Sequence, residues 1–343
     1  MMVDSMQHTL RAGLSRRVAS LLAATLVIAI PALAMLSPAA QAADALGAKP
    51  VTIIIPLAAG GPNDIEARIY TARLTNLMGG QSFLIDYKPG ASGTIGAAYV
   101  ARSAPDGHTL FLTGGSFSAF PALYKDLPFD TVRDFAHVAL MSIKHFVLVV
   151  HPSFPVNSLA EYVAWTRANP DKANFATTGA GGSVHLGGAW LHNLINTKVT
   201  FIHYKGTAPA TTDLTGGRVQ VGAFGLQPAL PLIRSGKLRA LALMGSRRSD
   251  LVAGLPTLGE GVPGYAFESY IGFSAPGGTP DAVVKQLNEA LVRTVKTPEV
   301  VRALEAQGSV PVGSSPAEFA KMLQNEAARW RKVVHDNAIS LAE

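Results

Sequence analysis

The chain has 343 residues, a formal net charge of +6 and no cysteine. The cysteine count excludes disulfides, thiolate catalysis, Cys-ligated metals and attachment of a lipid through a cysteine. Its basic excess is mild and spread out, with no Lys/Arg block, which argues against nucleic acid as a partner and suits a small organic anion as well as it suits simple solubility.

The first 42 residues read as an export signal. Arg11, Arg16 and Arg17 form a basic start, an apolar run follows over 18–35, and Ala40, Gln41 and Ala42 make a small-x-small cleavage site. The apolar run approaches the length of a membrane span, but Pro31 and the small-residue tail favour cleavage after Ala42, hence a periplasmic address. Removing this segment leaves 301 residues and a net charge of +4, since it carries three arginines and one aspartate. That length is enough for two compact lobes.

Strand-like and helix-like stretches alternate through the rest, which argues for α/β architecture. The run at 51–55 is a buried strand, and 64–77 has helical spacing that stops at Gly79 and Gly80. A strand is expected at 82–87, a short helix at 93–102 and a strand at 108–113. One long β-branched strand is expected over 138–151, closed by Pro152. Ser158 and Glu161 form a capping box for a helix ending at Ala168. Strands follow at 172–177, 199–204, 219–223 and 238–244, with helices between them, and another at 267–275. Amphipathic helices close the chain at 280–296, 298–307 and 316–337, each with proline near its start. The lobe division expected from this order is 43–148 plus 268–343 for the first lobe and 149–267 for the second. Two crossings between lobes make a hinge.

Two glycine-rich loops carry the functional signal, TIIIPLAAGGPNDIEAR at 52–68 and FATTGAGGSVHL at 175–186. Each runs from an apolar strand into a helix, so open backbone N–H groups and the positive end of the helix dipole face the loop mouth. Two such cradles suggest an anion held between lobes. The candidate contacts are Ala58, Ala59, Gly60, Gly61, Asn63 and Asp64 in the first loop, and Thr178, Gly179, Ala180, Gly181, Gly182 and Ser183 in the second. Ser116, Tyr204 and Phe224 join them from strand ends. Asp64 reads first as a helix cap and second as a ligand contact. Ser183 either caps its helix or donates to a ligand oxygen, and His185 anchors the loop to neighbouring backbone. Two residues apart on one turn, Ser183 and His185 do not face each other as nucleophile and base. Trp190 reads as core. The pattern after Gly179 fails the dinucleotide fingerprint at Val184, and neither a phosphate loop nor a nucleophile elbow is present. No histidine pairing has metal spacing, so neither metal nor cofactor is expected.

The order and spacing of these pieces resemble the receptors of the tripartite tricarboxylate transporter family, often called Bug-type receptors. Further pieces that carry the likeness are KPGASGTIGA at 88–97, APDGHTL at 104–110, PALY at 121–124, YKGTAPA at 204–210, GKLRALA at 236–242, APGGTP at 275–280 and AQG at 306–308. The resemblance implies an α/β, two-lobed periplasmic-binding-protein fold of the Venus-flytrap type II class, with a ligand cleft between lobes. It implies a non-enzymatic, monomeric extracytoplasmic receptor that takes a di-, tri- or aromatic carboxylate and delivers it to membrane permease subunits or a signalling partner. A secreted hydrolase-like α/β enzyme is the alternative. The chain departs from the family where Ala58 and Ala59 stand for two prolines, where Ala223 and Phe224 stand for Phe-Asp, and where Ala189 stands for Glu. Loss of the two acids disfavours ligands that carry an ammonium.

Overall fold

The computed structural model describes residues 46–47, 49–57, 59–245, 247–265, 267–336 and 339, so the expected signal at 1–42 and the candidate Ala58 lie outside the described residues. Contacts divide the chain between residues 1–47 and residues 48–343, and the fold is that of the second unit. In chain order it begins β1 (Val51–Ile55), α1 (Pro62–Leu77), β2 (Phe83–Tyr87), α2 (Thr94–Ala101), β3 (Thr109–Gly114), α3 (Phe120–Leu123), β4 (Phe135–Lys144) and β5 (Phe146–Val150). It continues α4 (Leu159–Ala168), β6 (Asn174–Thr177), α5 (Ser183–Leu194), β7 (Thr200–His203), α6 (Thr207–Thr215), β8 (Val221–Gly225), α7 (Leu226–Arg234) and β9 (Arg239–Met244). The last part is α8 (Leu258–Gly261), β10 (Ser269–Pro276), α9 (Asp281–Val295), α10 (Pro298–Ala306), β11 (Ser309–Pro311) and α11 (Pro316–Asp336).

The strands form two mixed sheets. The first has six strands in the order β11-β4-β10-β3-β1-β2, and the second has five in the order β7-β6-β8-β5-β9. Strand β1 pairs in parallel with β2 and β3, which explains its unbroken apolar run: Ile53, Ile54 and Ile55 are all fully buried. Strand β6 pairs in parallel with β7 and β8, so each glycine loop leaves the carboxyl end of a parallel strand. In open α/β sheets that end is where ligands bind.

The expected single strand over 138–151 is two strands in two sheets. Strand β4 pairs with β10 and β11 in the first sheet, while β5 pairs with β8 and β9 in the second. His145 sits between them: its N–H donates to the Gly308 carbonyl at 3.3 Å and its carbonyl accepts from Leu226 N–H at 2.9 Å. Both strands are buried, so the hydrophobic run continues through the change of sheet and pattern alone cannot mark it. The chain leaves the second sheet after Met244 and rejoins the first at Ser269.

Capping is close to the expectation at α4. Ser158 accepts from Glu161 N–H at 3.1 Å, but the Glu161 carboxylate turns to Asn157 N–H at 2.7 Å, one residue before the partner a standard box would use. Among the described residues no helix is long and apolar enough to cross a membrane.

Candidate functional site

The first loop ends at α1, whose N-cap is Gly61 in an extended conformation, with Pro62 at the first helical position and no side-chain cap. The first helical bond runs from Ile65 N–H to the Gly61 carbonyl at 3.1 Å, which leaves the Asn63 and Asp64 N–H groups as the open donors of the helix end. Asp64 is the third helical residue rather than the cap. Its Oδ2 accepts Gly60 N–H at 2.8 Å, and its Oδ1 accepts the Tyr87 hydroxyl at 2.6 Å and Arg68 Nε at 2.9 Å. Gly60 holds φ +81°, so its glycine is required by backbone conformation, and Asp64 pins it there. Burial pushes the Asp64 carboxyl up, but Tyr87, the Gly60 N–H and Arg68 outweigh it and hold the pKa below the ordinary value.

This arrangement changes what Asn can replace. An amide offers one acceptor oxygen where the carboxylate serves three donors, so Asp64→Asn is expected to cost about 1.5–3 kcal/mol. The pKa is depressed in the folded chain, so the stabilisation is present above the ordinary value of 3.8 and disappears as pH falls through the folded value. Melting curves of the unliganded proteins check both points: the gap between wild type and variant at pH 7 should narrow as pH falls below the ordinary value of 3.8 and the folded carboxyl takes up its proton.

The second loop ends at α5, whose N-cap Gly182 is also extended and also lacks a side-chain cap. Leu186 N–H makes the first helical bond, to the Gly182 carbonyl at 3.0 Å, which leaves Ser183, Val184 and His185 N–H as open donors. The expectation for the middle of this loop needs correction. Gly181 N–H donates to His185 Nδ1 at 3.0 Å, and Gly182 N–H donates to the Gly179 carbonyl at 3.3 Å. Those two donors are spent inside the loop, and the open set shifts to the helix start.

His185 thus anchors backbone, as its position suggested. Burial, with His203 beside it, lowers its pKa to about 4, so the ring is neutral. Nδ1 accepts, which places the proton on Nε2. With Nδ1 committed to Gly181 and the rings of His185 and His203 centred 4.6 Å apart, His185 is part of the loop's frame rather than a base for Ser183. Ser183 does not cap α5, which removes one of its two expected roles.

The two loops meet. Ser92 Oγ donates to the Ala180 carbonyl at 3.0 Å, joining the turn after β2 to the second loop. Ser92 has φ +54° and the preceding Ala91 has φ +44°, so this turn holds two strained residues at the contact. After β3, a Cβ on Gly115 would lie 3.0 Å from both Ser183 Oγ and Ser269 Oγ, and one on Gly114 would lie 3.6 Å from Asn63 Nδ2. Asn63 of the first loop and Ser183 of the second therefore flank one pair of glycines. Ser116, next in line and half-buried, opens the turn into Phe117, its carbonyl accepting Ala119 N–H at 3.0 Å. Ala59 and Gly60 are exposed at the rim, and Thr178, Gly179 and Ala180 are half-buried.

Behind the first loop lies a buried ion pair. Glu66 accepts from Ser142 Oγ at 2.6 Å, Ser309 Oγ at 2.5 Å and the Tyr70 hydroxyl at 3.1 Å, and Lys144 Nζ is 3.3 Å away. Lys144 Nζ also donates to Asn63 Oδ1 at 3.1 Å. Burial lowers the Lys144 pKa while Glu66 pulls it back up. Sequence reading passed over Ser92, Gly115, Glu66 and Lys144. The available signal was a lysine inside an otherwise apolar run, together with a carboxylate on the first helix.

Two candidates sit elsewhere. Phe224 is 2 % exposed and packs with Val147, Val149, Leu214 and Leu230 in the apolar core of the second sheet. The placement of Phe224 at a cleft mouth is corrected: its strand end alternates inward. Tyr204 commits its hydroxyl to Asp213 Oδ2 at 2.9 Å, and Arg218 holds the other oxygen at 2.7 Å. Tyr204 reaches the loop through its backbone: its N–H donates to the Thr177 carbonyl at 3.0 Å, and its carbonyl lies 4.0 Å from where a Gly179 Cβ would be. Trp190 is core, centred 5.0 Å from Tyr265 and 6.0 Å from Trp330.

The chain is similar to known proteins over most of its length. The family model for the tripartite tricarboxylate transporter family receptor matches residues 67–339. A protein encoded in the tcbD-tcbE intergenic region of Pseudomonas sp. strain P51 is 32% identical over 312 residues, covering 90% of this chain and 93% of that protein. BugT of Bordetella pertussis is 32% identical over 302 residues, covering 87% and 92%. Among solved structures, R. palustris Rpa4515 with adipate has a TM-score of 0.77 at 33% identity, covering 85% of this chain and 98% of that one. The periplasmic binding protein BugD gives 0.75 at 30%, covering 85% and 98%. MatC of Rhodopseudomonas palustris with bound malate gives 0.74 at 33%, covering 83% and 98%. The fold is that of the two-lobed periplasmic binding proteins, and the chain belongs to the tripartite tricarboxylate transporter receptor family.

Proposed function

We propose that this receptor captures a small carboxylate, lacking an ammonium, between the loop after β1 and the loop after β6. The observation that carries the reading is the pair of helix starts, α1 and α5, which both lack side-chain caps and whose residues Asn63 and Ser183 flank the glycine pair Gly114 and Gly115. Open N–H groups at two converging helix starts favour negative charge. The acidic side chains of α1, Asp64 and Glu66, are both committed to protein donors, so neither offers a counter-ion to an ammonium. Adipate and malate in two structural relatives fit the same chemistry.

The contact set proposed for the ligand is Asn63 and the open N–H groups of α1, Gly114 to Ser116, Ser183 and the first turn of α5, with Ala59 to Gly61 and Thr178 to Gly182 shaping the walls. The two sheets are the cores of two lobes. Strand pairing supports drawing the first crossing at His145 rather than after Leu148. In the cell the protein would be periplasmic after removal of 1–42, monomeric, and would hand intact ligand to membrane permease subunits or a signalling partner.

A thermal-shift and calorimetric panel of mono-, di- and aromatic carboxylates, amino acids and cations tests this, because a ligand that binds only the folded state raises apparent stability. One or more carboxylates should bind at micromolar Kd, about −8 kcal/mol, and be recovered unchanged. Tightest binding by an amino acid or a cation, or conversion of the ligand, would overturn the reading.

A further inference from the structure

Lys144 lies at the end of β4, the last residue of the first sheet before the chain changes sheets, and its side chain is 10% exposed. A lysine ammonium has only donors. The Asn63 atom 3.1 Å from it must therefore be the carboxamide oxygen, which fixes the amide in one of its two orientations. The NH2 group is then turned the other way, toward Gly114, whose absent Cβ would lie 3.6 Å from it. The neighbouring Gly115 stands in the same relation to Ser183 Oγ, at 3.0 Å. Two donors, one from each loop, thus flank a pair of residues that carry no side chain.

Resting on the carboxylate reading above, we propose that Lys144 is a positioning residue that holds the Asn63 carboxamide so that its NH2 donates to a carboxylate oxygen of the ligand over Gly114 and Gly115. Glu66 completes the device. It keeps the buried ammonium compensated, at 3.3 Å, and is itself held by Ser142, Ser309 and Tyr70. The pair adds no net charge to the cleft, so what it supplies is orientation: a donor that would otherwise turn freely is set before the ligand arrives. A purely structural pair, tying β4 to α1 and β11, would leave ligand affinity indifferent to which end of the amide faces the cleft.

Calorimetric titration uses the tightest wild-type binder among malate, succinate, adipate and benzoate as probe. Asn63→Asp keeps an oxygen on Lys144 and places a carboxylate in the first helical turn, so the unliganded melting temperature should hold or rise. It replaces the ligand's donor with an anion, so affinity should fall at least about tenfold. Lys144→Met combined with Glu66→Gln removes the cation without stranding a buried carboxylate, and should weaken binding by about tenfold with the Asn63 amide intact. In an Asn63→Ala background the same double change should have no further effect, because Lys144 acts through Asn63. Wild-type affinity in Asn63→Asp, or full additivity with Asn63→Ala, overturns the inference and leaves the receptor reading standing. Failure of wild type to bind any of the four probes overturns both. If the Lys144/Glu66 variant does not fold, Asn63→Asp still tests the Asn63 donor, and wild-type affinity in it still overturns the inference.

Discussion

Gly115→Val is expected to abolish carboxylate binding, carrying Kd from the micromolar range to beyond millimolar, a loss of about 4 kcal/mol. Gly115 lies in the turn after β3, where a Cβ would sit 3.0 Å from both Ser183 Oγ and Ser269 Oγ. Ser183 begins the helix of the second loop, and Ser269 begins β10, where the chain returns to the first sheet. A single methyl presses on two hydroxyls, which can rotate aside, and touches the Ser269 Cα at an ordinary 3.5 Å. Gly115→Ala should therefore weaken binding by about tenfold and no more. The branched side chain of valine has no such escape. It fills the space between the loops, and the lobes cannot close over a ligand.

Calorimetry gives the affinities, and small-angle scattering shows the cause: saturating ligand should compact wild type and leave Gly115→Val unchanged. A second comparison isolates the contact. Ser183→Ala alone should cost about 1 kcal/mol if its hydroxyl meets a neutral acceptor and up to about 3 if it meets a carboxylate. Combined with Gly115→Ala it should cost less than the sum of the two, because loss of the Ser183 hydroxyl relieves one of the two close contacts that the new methyl makes. Wild-type binding by Gly115→Val would remove this contact from the ligand site.

Much of the scaffold was legible because burial writes itself into pattern. The apolar run at 51–55 became β1 residue for residue, and helix starts marked by Pro298 and Pro316 are where α10 and α11 begin. The loops were legible for a different reason: Gly60, Gly179 and Gly181 adopt positive φ, a conformation other residues rarely take. What escaped were features that depend on partners far away in sequence. Nothing near His145 signals a change of sheet, since strands on both sides of it are buried. Phe224 looks the same whether a strand end points to a cleft or to core. The backbone anchor at His185 was expected; only its target, the Gly181 N–H four residues away, depended on one rotamer. Lys144 and Glu66 are 78 residues apart, and neither reads as buried until the other is placed beside it. The family resemblance reached the loops and the fold, while the pairing of charges behind the first loop came from the structure.

Trp330→Ala is expected to be the most damaging single truncation for stability, because α11 belongs to two cores. Its first turns place Phe319 and Leu323 among Phe111, Phe117, Phe120 and Phe135, packed on the first sheet. Its last turns place Trp330, Val333 and Val334 among Phe175, Leu186, Trp190 and Phe267. The Trp330 ring is fully buried and meets Trp190 and Phe267 edge-on, each with centroids 6.0 Å apart. Truncation leaves a cavity the size of an indole between rigid aromatic walls, which can collapse little, so the cost should be about 3–5 kcal/mol. For a chain of this size each kcal/mol lowers the melting temperature by about 2–4 °C, which sets the expected fall at about 6–20 °C. Ligand affinity at 25 °C should stay within about twofold, since Trp330 meets α5 at Trp190, two turns along the helix from Ser183. Calorimetric melting of the unliganded variant, with titration of the same sample, measures both quantities. A fall of less than about 3 °C would mean that the far half of α11 is not what ties it to the second core. A large loss of affinity in a still-folded protein would show instead that this packing sets the position of the α5 helix start and of the donors it carries.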